Sequence, residues 1–579
     1  MIRFRWVPSA GKALRTIGVG MAVVLPAWAA SVAPVAAENG MVVTAQHLAT
    51  QVGVDVLKRG GNAVDAAVAV GYALAVVYPA AGNLGGGGFM TLQLADGRKT
   101  FLDFREKAPA AATAAMYLDP DGNVIKGLST TGHLAVAVPG TVAGMEMARE
   151  KYGTLKRAAL MAPAIRLADK GFVLQPGDVD MLQTATGYFK KDAPSSRVFL
   201  RAGAAYSAGD RLVQKDLATT LRTVSRHGPS GFYTGRVARA MEASSSAGQG
   251  LITQADLRQY RTRELAPVEC DYRGFHVLSA PPPSSGGVII CEILNILEGY
   301  PLKEWGFHSA QAVHVQIEAM RHAYVDRNSY LGDPDFVDNP TERLLSKSYA
   351  EKVRSAINPL KAGISKDIKP GVEPHEGSNT THYSVVDRWG NAVSVTYTLN
   401  DWFGAKVMAA GTGVMLNNEM DDFTVKVGVP NLYGLVQGQA NAIAPGKRPL
   451  SSMSPTIVTK DGKPVMVLGT PGGSRIITAV VQTLVHVIDY GMNIQEAVDA
   501  PRFHQQWLPD VTNVENFALS PDTQKMLVAM GHPLGAPQPP NHLAAIVVGA
   551  PSLGGKPAGS YRFFGAIDPR RNTGLALGY

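Results

Sequence analysis

Alternating apolar and polar residues predict a β-hairpin about two thirds of the way along the chain. In the stretch THYSVVDRWGNAVSVTYTLN, which begins at Thr381, the side chains of Val393, Val395 and Tyr397 alternate with small polar ones. Residues 388–391 between the two runs have the composition of a tight turn. The pattern therefore predicts two paired strands that begin directly after the first threonine of the sequence SNTTHYS.

The same alternation predicts two further pairs of short strands. One pair surrounds a turn at Asp96 and Gly97 and places Arg105 just after its second strand. The other pair consists of PTIV and PVMVLGT. Ahead of the first pair, GNLGGGGF contains four successive glycines, which allow a close approach of the backbone to another group. Packing against a neighbouring strand and a position beside a ligand both remain open, and the spacing of a phosphate loop is absent.

Helical segments are predicted on both sides of the central hairpin. The sequence from residue 44 reads as two helices hinged at Gly60-Gly61, and the alanine-rich run 63–75 is typical of a buried helix. Residues 155–335 are rich in predicted helix and end with a long one at 309–330, while a further helix starts at Arg475. Residues 360–379 contain few apolar side chains, so we expect an exposed boundary there.

The N-terminus has the layout of a secretory signal peptide, which we place at residues 1–37. Four basic residues precede the apolar run IGVGMAVVLPAWAA, and no acidic residue occurs before Glu38. Cleavage after about Ala37 is favoured over retention as a membrane anchor, because an anchor needs roughly 20 apolar residues. The sequence thus predicts an exported protein without a membrane anchor after removal of the signal.

Size and charge narrow the class of protein. With 579 residues and 46% hydrophobic residues, the chain is long enough for a large core or for two packed subunits. Four of the eight excess positive charges lie in the predicted signal peptide, and no basic cluster is interleaved with aromatic residues. We therefore expect no nucleic-acid partner.

Cysteines and histidines give no sign of a metal site in the sequence. Only Cys270 and Cys291 occur, without the spacing of a zinc site, and the 13 histidines form no ligand motif. The two cysteines can pair in an oxidising compartment, but two buried thiols are the favoured interpretation. No metal and no cofactor are predicted.

Thr380 is a candidate nucleophile if the chain is cut directly before it. A threonine hydroxyl needs a base, and the α-amino group of an N-terminal threonine can be that base. Because this amine titrates at roughly 7.7 to 8.0, it accepts protons near neutral pH. The glycines of PGGS suit an oxyanion hole. An amino-acid substrate would need an arginine, hydroxyls and an acidic group, for which the candidates are Arg105, Ser451, Ser452 and Asp422.

Several motifs together resemble the γ-glutamyltransferase (γ-glutamyltranspeptidase) family from about residue 44 to residue 579. They are LDFREKAP, VPGTVAGM, PPPSSGG, YLGDPDF, TTHYSVVDRWGNAVSVTYTLN, LNNEMDDF, KRPLSSMSPTIV, GTPGGSRIIT and DAPRFHQQWLPD, in the order of the family. The resemblance implies an α+β, four-layer αββα sandwich, the N-terminal nucleophile hydrolase fold, formed by two subunits cut from one precursor. It also implies a periplasmic location.

The resemblance assigns a role to each motif residue. It implies cleavage between Asn379 and Thr380, so that residues 38–379 form a large subunit and residues 380–579 a small subunit that starts with the nucleophile. It implies that the hydroxyl of Thr398 supports the nucleophile. The remaining implied roles are carboxylate binding by Arg105, Ser451 and Ser452, α-amino binding by Asn400, Glu419 and Asp422, and an oxyanion hole at Gly472 and Gly473.

Residues 428–450 match a lid that many members of the family carry, with Tyr433 at the gating position. The family varies between Gln and Glu at position 419, and Glu would strengthen binding of an ammonium group. A lid shields an acyl-enzyme from water. Together with Asp422, it argues against the relatives that deacylate cephalosporins.

The implied activity is transfer of a γ-glutamyl group from glutathione or another γ-glutamyl compound to water, an amino acid or a peptide. The two subunits of one precursor would remain together as a heterodimer. One alternative is a glutaryl or cephalosporin acylase on the same fold. The other is a periplasmic binding protein that keeps the site without catalysis.

Overall fold

Two stacked antiparallel sheets form the centre of the molecule. The computed structural model describes residues 31–368, 380–537, 539 and 541–579. Sheet 1 has the order Leu575–Gly578, Met41–Thr44, Thr381–Val386, Ala392–Thr398, Gly87–Gln93, Lys99–Asp103 and Arg263–Leu265. Sheet 2 has the order Val35–Ala37, Phe563–Ile567, Ala544–Val548, Lys463–Gly469, Thr456–Lys460, Phe275–Ser279 and Val268–Tyr272.

Helices cover the outer face of each sheet. Those packed on the side of sheet 1 include His47–Lys58, Ala63–Val77, Thr141–Tyr152, Arg157–Lys170, Lys215–His227 and Gly235–Ala247. Those on the side of sheet 2 include Gly286–Leu297, Ala310–Tyr330, Lys347–Ala356, Arg475–Ile488, Ile494–Asp499 and Pro521–Met530. A third apolar cluster, with Val43, Val386 and Val467, lies between the sheets. The predicted four-layer αββα sandwich is therefore confirmed.

Shorter elements connect these layers. The short helices are Pro176–Gln183, Thr186–Phe189, Ala193–Phe199, Ser230–Tyr233, Gln254–Gln259, Leu302–Trp305 and Thr341–Leu345. Three single 3₁₀ turns span His133–Ala135, Glu419–Asp422 and Gln439–Asn441. Small strand pairings join Phe172–Val173 to Arg211–Leu212 and Met408–Ala409 to Val414–Met415. In a third small sheet, Thr512–Val514 pairs with both Phe503–His504 and Leu534–Gly535.

The predicted central hairpin is confirmed, and its turn explains the register. Thr381 pairs with Tyr397, and Val386 with Ala392. The carboxylate of Asp387 accepts hydrogen bonds from the backbone N–H groups of Trp389 and Asn391, which closes the turn. Both strands are fully buried because they lie in the middle of sheet 1. This rigid position fixes the residue that precedes the first strand.

Each sheet contains strands from both predicted subunits. In sheet 1, Met41–Thr44 lies between Leu575–Gly578 and Thr381–Val386. In sheet 2, Thr456–Lys460 pairs with Phe275–Ser279. A cut before Thr380 would therefore leave two pieces that share both sheets, and neither piece would keep a complete sheet by itself.

Two expectations need correction. Cys270 and Cys291 form a disulfide, with Cα atoms 5.8 Å apart, instead of two buried thiols, because a sheet-2 strand and the helix Gly286–Leu297 bring them together. The expected exposed boundary at 360–379 is also partly wrong. Ala362 and Ser365 are buried, since Ser365 contacts Asp510 and Trp507; residues 369–379 lie outside the described part.

Most of the predicted signal peptide, residues 1–30, also lies outside the described residues. Residues 35–37 form an edge strand of sheet 2 that pairs with Phe563–Ile567. In the part of the chain that the structure describes, no helix combines the length and the apolar character needed to cross a bilayer.

Candidate active site

Thr380 directly precedes a central strand of sheet 1, and its hydroxyl faces that of Thr398. The hairpin register places Thr398 at the end of the neighbouring strand, and the two Oγ1 atoms are 3.3 Å apart. Both side chains are buried. Asn379 lies outside the described residues, so the predicted cleavage site is seen only from its Thr380 side.

Thr398 is held in place from two directions. Its Oγ1 accepts a hydrogen bond from the backbone N–H of Asn400 at 2.8 Å, and its carbonyl accepts one from Nδ2 of Asn83, also at 2.8 Å. Oδ1 of Asn83 in turn accepts from Thr141 and from the backbone of Gly86. This support fixes the position of the Thr398 hydroxyl beside Thr380.

The glycine run packs closely against the backbone of Thr398 and Met415. A Cβ atom at Gly86 would lie 2.0 Å from the carbonyl oxygen of Thr398, and one at Gly85 would lie 2.2 Å from that of Met415. Neither position tolerates a side chain against a neighbouring backbone. Of the two interpretations left open by the sequence, packing against a strand is the one that the structure supports.

Arg105 lies at the centre of a buried charged pocket. Its Nη1 donates to Glu419 and its Nη2 to Asp422, while Nε donates to the carbonyl of Pro449 at 3.1 Å. A third carboxylate, that of Glu106, lies 3.6 Å from the Arg105 guanidinium. All four side chains are buried, so one arginine faces three carboxyl groups with little water.

Burial and these charges shift the pKa values in opposite directions. Burial disfavours the charged form of Arg105, but the carboxylates of Glu419 and Asp422 outweigh it and raise its pKa. Burial raises the pKa of Glu106 to about 7 and raises the pKa values of Glu419 and Asp422, although Arg105 opposes these shifts. Several groups with shifted pKa values therefore lie together in this pocket, as is typical of functional sites.

Ser451 and Ser452 line the same pocket beside a second arginine. The hydroxyl of Ser452 accepts a hydrogen bond at 2.9 Å from Arg327, and Oγ of Ser451 accepts one from the backbone of Met453. Arg327 also donates to Ser285 and to Gln437. Burial lowers the pKa of Arg327 to about 10.

Asn400 and Tyr433 close the pocket. Asn400 has φ +73°, a conformation that asparagine adopts more readily than most residues, and its carbonyl accepts a hydrogen bond at 2.7 Å from the Tyr433 hydroxyl. The Tyr433 ring lies on Gly473, where a Cβ atom would come within 2.3 Å of it. The lid segment 428–450 also contacts Asp422, whose carbonyl accepts from Gln437 and Asn441.

Gly472 and Gly473 both have positive φ, +141° and +56°, so their backbone needs glycine. Together with Thr380 they separate two cavities. The inner pocket is bounded by Thr380, Thr398 and Gly473 together with the charged and lid residues above, and has a volume of about 20 Å³. The outer cavity is lined by Thr380, Gly472, Trp402 and Arg571, among others, and measures about 560 Å³.

Eleven of the twelve predicted site residues line one or both of these cavities, and the twelfth, Asn379, lies outside the described residues. Asn83, Glu106, Arg327 and Arg571 were not singled out in the sequence. Glu106 lies inside the motif LDFREKAP, so its place beside Arg105 was available as a signal. For Arg327 the only signal was a basic residue within a buried helix, and for Arg571 there was none.

One cluster outside both cavities has metal-ligand character. His314, Glu318 and His532 are buried, and their ligand atoms lie within 4.8 Å of one another, although the sequence pattern predicted no such group. These atoms already have partners: Nδ1 of His314 contacts Nε2 of His532 at 2.7 Å, and Glu318 pairs with Arg321. The helix Ala310–Tyr330 places two of the three residues one turn apart.

Comparison with known proteins places these features in a family. The γ-glutamyltranspeptidase family model matches residues 49–578. The glutathione hydrolase proenzyme of Pseudomonas sp. (strain A14) is 76% identical over 552 residues, which cover 95% of this chain and 96% of that protein.

Solved structures give the same picture. The cephalosporin acylase of Bacillus halodurans has a TM-score of 0.82 at 29% identity, and the match covers 96% of this chain and 98% of that one. A chain of the γ-glutamyltranspeptidase of Helicobacter pylori is 47% identical with a TM-score of 0.55, and the match covers 57% of this chain and 96% of that one.

Proposed function

Because the chain belongs to the γ-glutamyltranspeptidase family, we propose that it is a self-cleaving γ-glutamyltransferase and glutathione hydrolase with Thr380 as its nucleophile. The observation that carries this proposal is the position of Thr380. Its hydroxyl contacts Thr398, and it lies where a pocket with two arginines and two carboxyl groups meets a larger cavity. Because the family and the relatives that match this chain are enzymes, we do not favour the alternative of a non-catalytic binding protein.

The first reaction of Thr380 is on its own chain. Its hydroxyl oxygen attacks the carbonyl carbon of Asn379, the peptide C–N bond breaks, and the hydroxyl proton passes to the leaving nitrogen. The product is an ester between the two residues and an amine on Thr380. Water hydrolyses the ester to a carboxylate on Asn379 and the free hydroxyl of Thr380. The large subunit then ends at residue 379 and the small subunit starts at residue 380, as a heterodimer that shares both sheets.

The second reaction uses the new amine. Thr380 attacks the γ-amide carbon of the donor while its α-amino group takes the hydroxyl proton. The oxyanion is stabilised by the backbone N–H groups of Gly472 and Gly473. The leaving amine receives the proton and departs, and a γ-glutamyl ester remains on Thr380. Water, an amino acid or a peptide attacks the ester and regenerates the hydroxyl.

The inner pocket complements the amino-acid end of a γ-glutamyl group. Arg105 offers a planar, two-pronged donor to the α-carboxylate, with Ser451 and Ser452 beside it. Glu419 and Asp422 offer negative charge to the α-ammonium, together with Asn400. A bound γ-glutamyl group therefore replaces ion pairs that the protein makes with itself in the structure.

The test is cleavage and activity in two neighbouring threonine variants. We expect Thr380→Ala to remain one uncut band on a denaturing gel and to lose activity on γ-glutamyl-p-nitroanilide by at least about 10⁴-fold. Thr381→Val is the matched control, because Thr381 is buried in the strand and its hydroxyl has no hydrogen-bond partner among the described residues. N-terminal sequencing of the small fragment should start at Thr380, and a fully active, uncut wild type would contradict the proposal.

A second candidate is an acylase that removes glutaryl or cephalosporin side chains. The high TM-score to the Bacillus halodurans acylase favours it, but Asp422 lies in the pocket as a partner for an α-ammonium that glutaryl groups lack. Release of p-nitroaniline from γ-glutamyl and glutaryl anilides, measured side by side, distinguishes the two. A preference for the glutaryl compound would favour the acylase.

We further infer that the protein is exported to the periplasm and is cleaved after about residue 37, which would remove the edge strand Val35–Ala37 from sheet 2. The disulfide between Cys270 and Cys291 supports an oxidising compartment, since cytosolic proteins rarely keep such bonds. Fractionation of cells that produce the protein, followed by mass spectrometry of the large subunit, tests both the location and the new N-terminus.

A further inference from the structure

The outer cavity contains an arginine, Arg571, that has no role in the reaction described above. Arg571 lines this cavity together with Thr380, and its guanidinium carbon lies 4.8 Å from the ring centre of Trp402 and 5.6 Å from that of Tyr78. Two aromatic rings therefore restrict where the guanidinium can lie. A large side chain held in this way loses little entropy when it binds a ligand.

Arg571 makes no ion pair within the part of the chain that the structure describes. Burial lowers its pKa to about 10, and no neighbouring carboxylate counteracts that effect. The adjacent Arg570 differs, because it pairs with Asp568 and Glu515 although it lines the same cavity. Arg571 is half-buried, and a partly desolvated guanidinium without a counter-ion is best stabilised by a carboxylate.

The other charged and titratable groups of the cavity do not compete for this role. Asp180 is exposed on the cavity wall and is itself negative. His542 has a pKa lowered by burial to about 4, so it is neutral near pH 7. Arg571 is thus the positive group of the outer cavity that remains available to a negative ligand.

The proposed function supplies such a ligand. When the γ-amide bond of glutathione breaks, the leaving group is a dipeptide with a free carboxylate, and acceptor amino acids and peptides also carry one. The amine of each must lie beside Thr380, while the γ-glutamyl group occupies the inner pocket. The outer cavity, at about 560 Å³, is within the roughly 300–1,000 Å³ typical of small-molecule sites.

We propose that the outer cavity is the subsite for the leaving peptide and the acceptor, and that Arg571, held beside the rings of Trp402 and Tyr78, binds their carboxylate. This inference rests on the proposed function. It adds a group that selects the leaving peptide and the acceptor. Arg571 acts on substrate binding on the far side of the scissile bond from Arg105. It therefore distinguishes donors and acceptors that carry a carboxylate there from those that do not.

The donor test compares glutathione with γ-glutamyl-p-nitroanilide, whose leaving group has no carboxylate. In Arg571→Met we expect kcat/KM for glutathione, followed by glutamate release, to fall about 10- to 100-fold, mainly through KM. The value for the anilide should stay within about twofold. Arg571→Lys keeps the charge without the planar fork and should lie between wild type and Arg571→Met in the ratio of the two donors.

The acceptor test needs no variant to begin with. Wild type should transfer to glycylglycine more efficiently than to glycylglycinamide, and Arg571→Met should lose most of that preference. Arg562→Met is the matched control, because Arg562 also lies over an aromatic ring, that of Phe563, but on the exposed surface and outside both cavities. Its donor ratio and acceptor preference should equal those of wild type.

The outcomes separate this inference from the proposed function. If wild type cleaves neither γ-glutamyl donor, the proposed function fails. If it cleaves both but shows no preference for the free carboxylate, or if Arg571→Met reduces both donors equally, Arg571 has only a structural role and the inference is wrong. Thermal unfolding and self-cleavage on a gel identify a misfolded variant. If Arg571→Met is misfolded, the acceptor preference of wild type and the ratio of kcat/KM for the two donors in Arg571→Lys test the inference instead.

Discussion

The two cavities that meet at Thr380 differ in volume and in how their charged groups are paired. The inner pocket is small, at about 20 Å³, and Arg105 is already paired there with Glu419 and Asp422. The outer cavity is larger, about 560 Å³ in volume, and offers one available arginine beside aromatic rings. If the proposed function holds, this difference predicts strict recognition of the donor in the inner pocket and tolerance of varied leaving groups and acceptors in the outer cavity.

Electrostatics explain why the inner pocket is selective. Burying ionised groups is unfavourable unless each has a partner, so a ligand must replace the ion pairs of Arg105 with equally good ones. An amino-acid end, with one carboxylate and one ammonium, does this, whereas a glutaryl group leaves the carboxylates of Glu419 and Asp422 without a cation. Wrong ligands are thus rejected by unpaired charge as well as by shape.

Size explains why the inner pocket must also move. A volume of about 20 Å³ holds about one water molecule, so we predict that a γ-glutamyl group enters only after lining groups such as Tyr433 move. The lid lies on Gly473 and contacts Asp422, which couples its motion to the groups that bind substrate. The outer cavity requires no such opening.

The largest predicted loss of activity comes from removing the central cation of the inner pocket. Arg105→Met removes the cation that pairs with Glu419 and Asp422, and we expect kcat/KM on γ-glutamyl-p-nitroanilide to fall by about 10³-fold or more, since removing one partner of a buried pair costs roughly 2–5 kcal/mol. Thermal unfolding measures the accompanying loss of stability. Arg105→Lys should recover stability better than activity; an Arg105→Met enzyme as active as Arg571→Met would contradict the comparison.

A smaller effect sharpens the basis of donor selection. Asp422→Asn should reduce kcat/KM for γ-glutamyl-p-nitroanilide by about 10- to 100-fold, because the α-ammonium loses a charged partner. The value for glutaryl-p-nitroanilide, which has no ammonium, should stay the same or rise. The matched control is Asp421→Asn, since the Asp421 carboxylate accepts instead from Ser129 and the backbone of Leu432. An equal fall on both anilides in Asp422→Asn would show that recognition of the ammonium lies elsewhere.

The smallest predicted effect is the pH dependence of the free energy of unfolding, which we attribute to Glu106 beside the inner pocket. Burial raises the folded-state pKa of Glu106 from 4.5 to about 7, so the folded protein binds more protons than the unfolded chain between these values. Its contribution to stability is therefore full below about pH 4.5 and is lost as pH rises towards 7, by about 1–3 kcal/mol.

Chemical denaturation at pH 5 and pH 7.5 measures this dependence. Glu106→Gln should make the free energy of unfolding vary less with pH than in wild type. Glu342→Gln is the control, because Glu342 is exposed in a short surface helix and should leave the wild-type dependence unchanged. Parallel pH profiles for wild type and Glu106→Gln would show that Glu106 titrates normally in the folded protein.

Local sequence determined much of the frame of the site. The alternation of Val393, Val395 and Tyr397 fixed the central hairpin, and the position of Arg105 after its strand was correct. These features depend on neighbouring residues: period-two burial and tight turns are local properties of the chain. The described site residues that the family resemblance implied also line the two cavities.

Tertiary structure alone decided which charges face each other. Glu106 beside Glu419, Arg327 on Ser452 and Arg571 beside Trp402 and Tyr78 join residues far apart in the chain, and no local pattern encodes these distances. The disulfide was misjudged for the same reason, because the separation of Cys270 and Cys291 depends on how a helix packs against a sheet. Desolvation, which sets the pKa values in the inner pocket, exists only once the layers have closed around it.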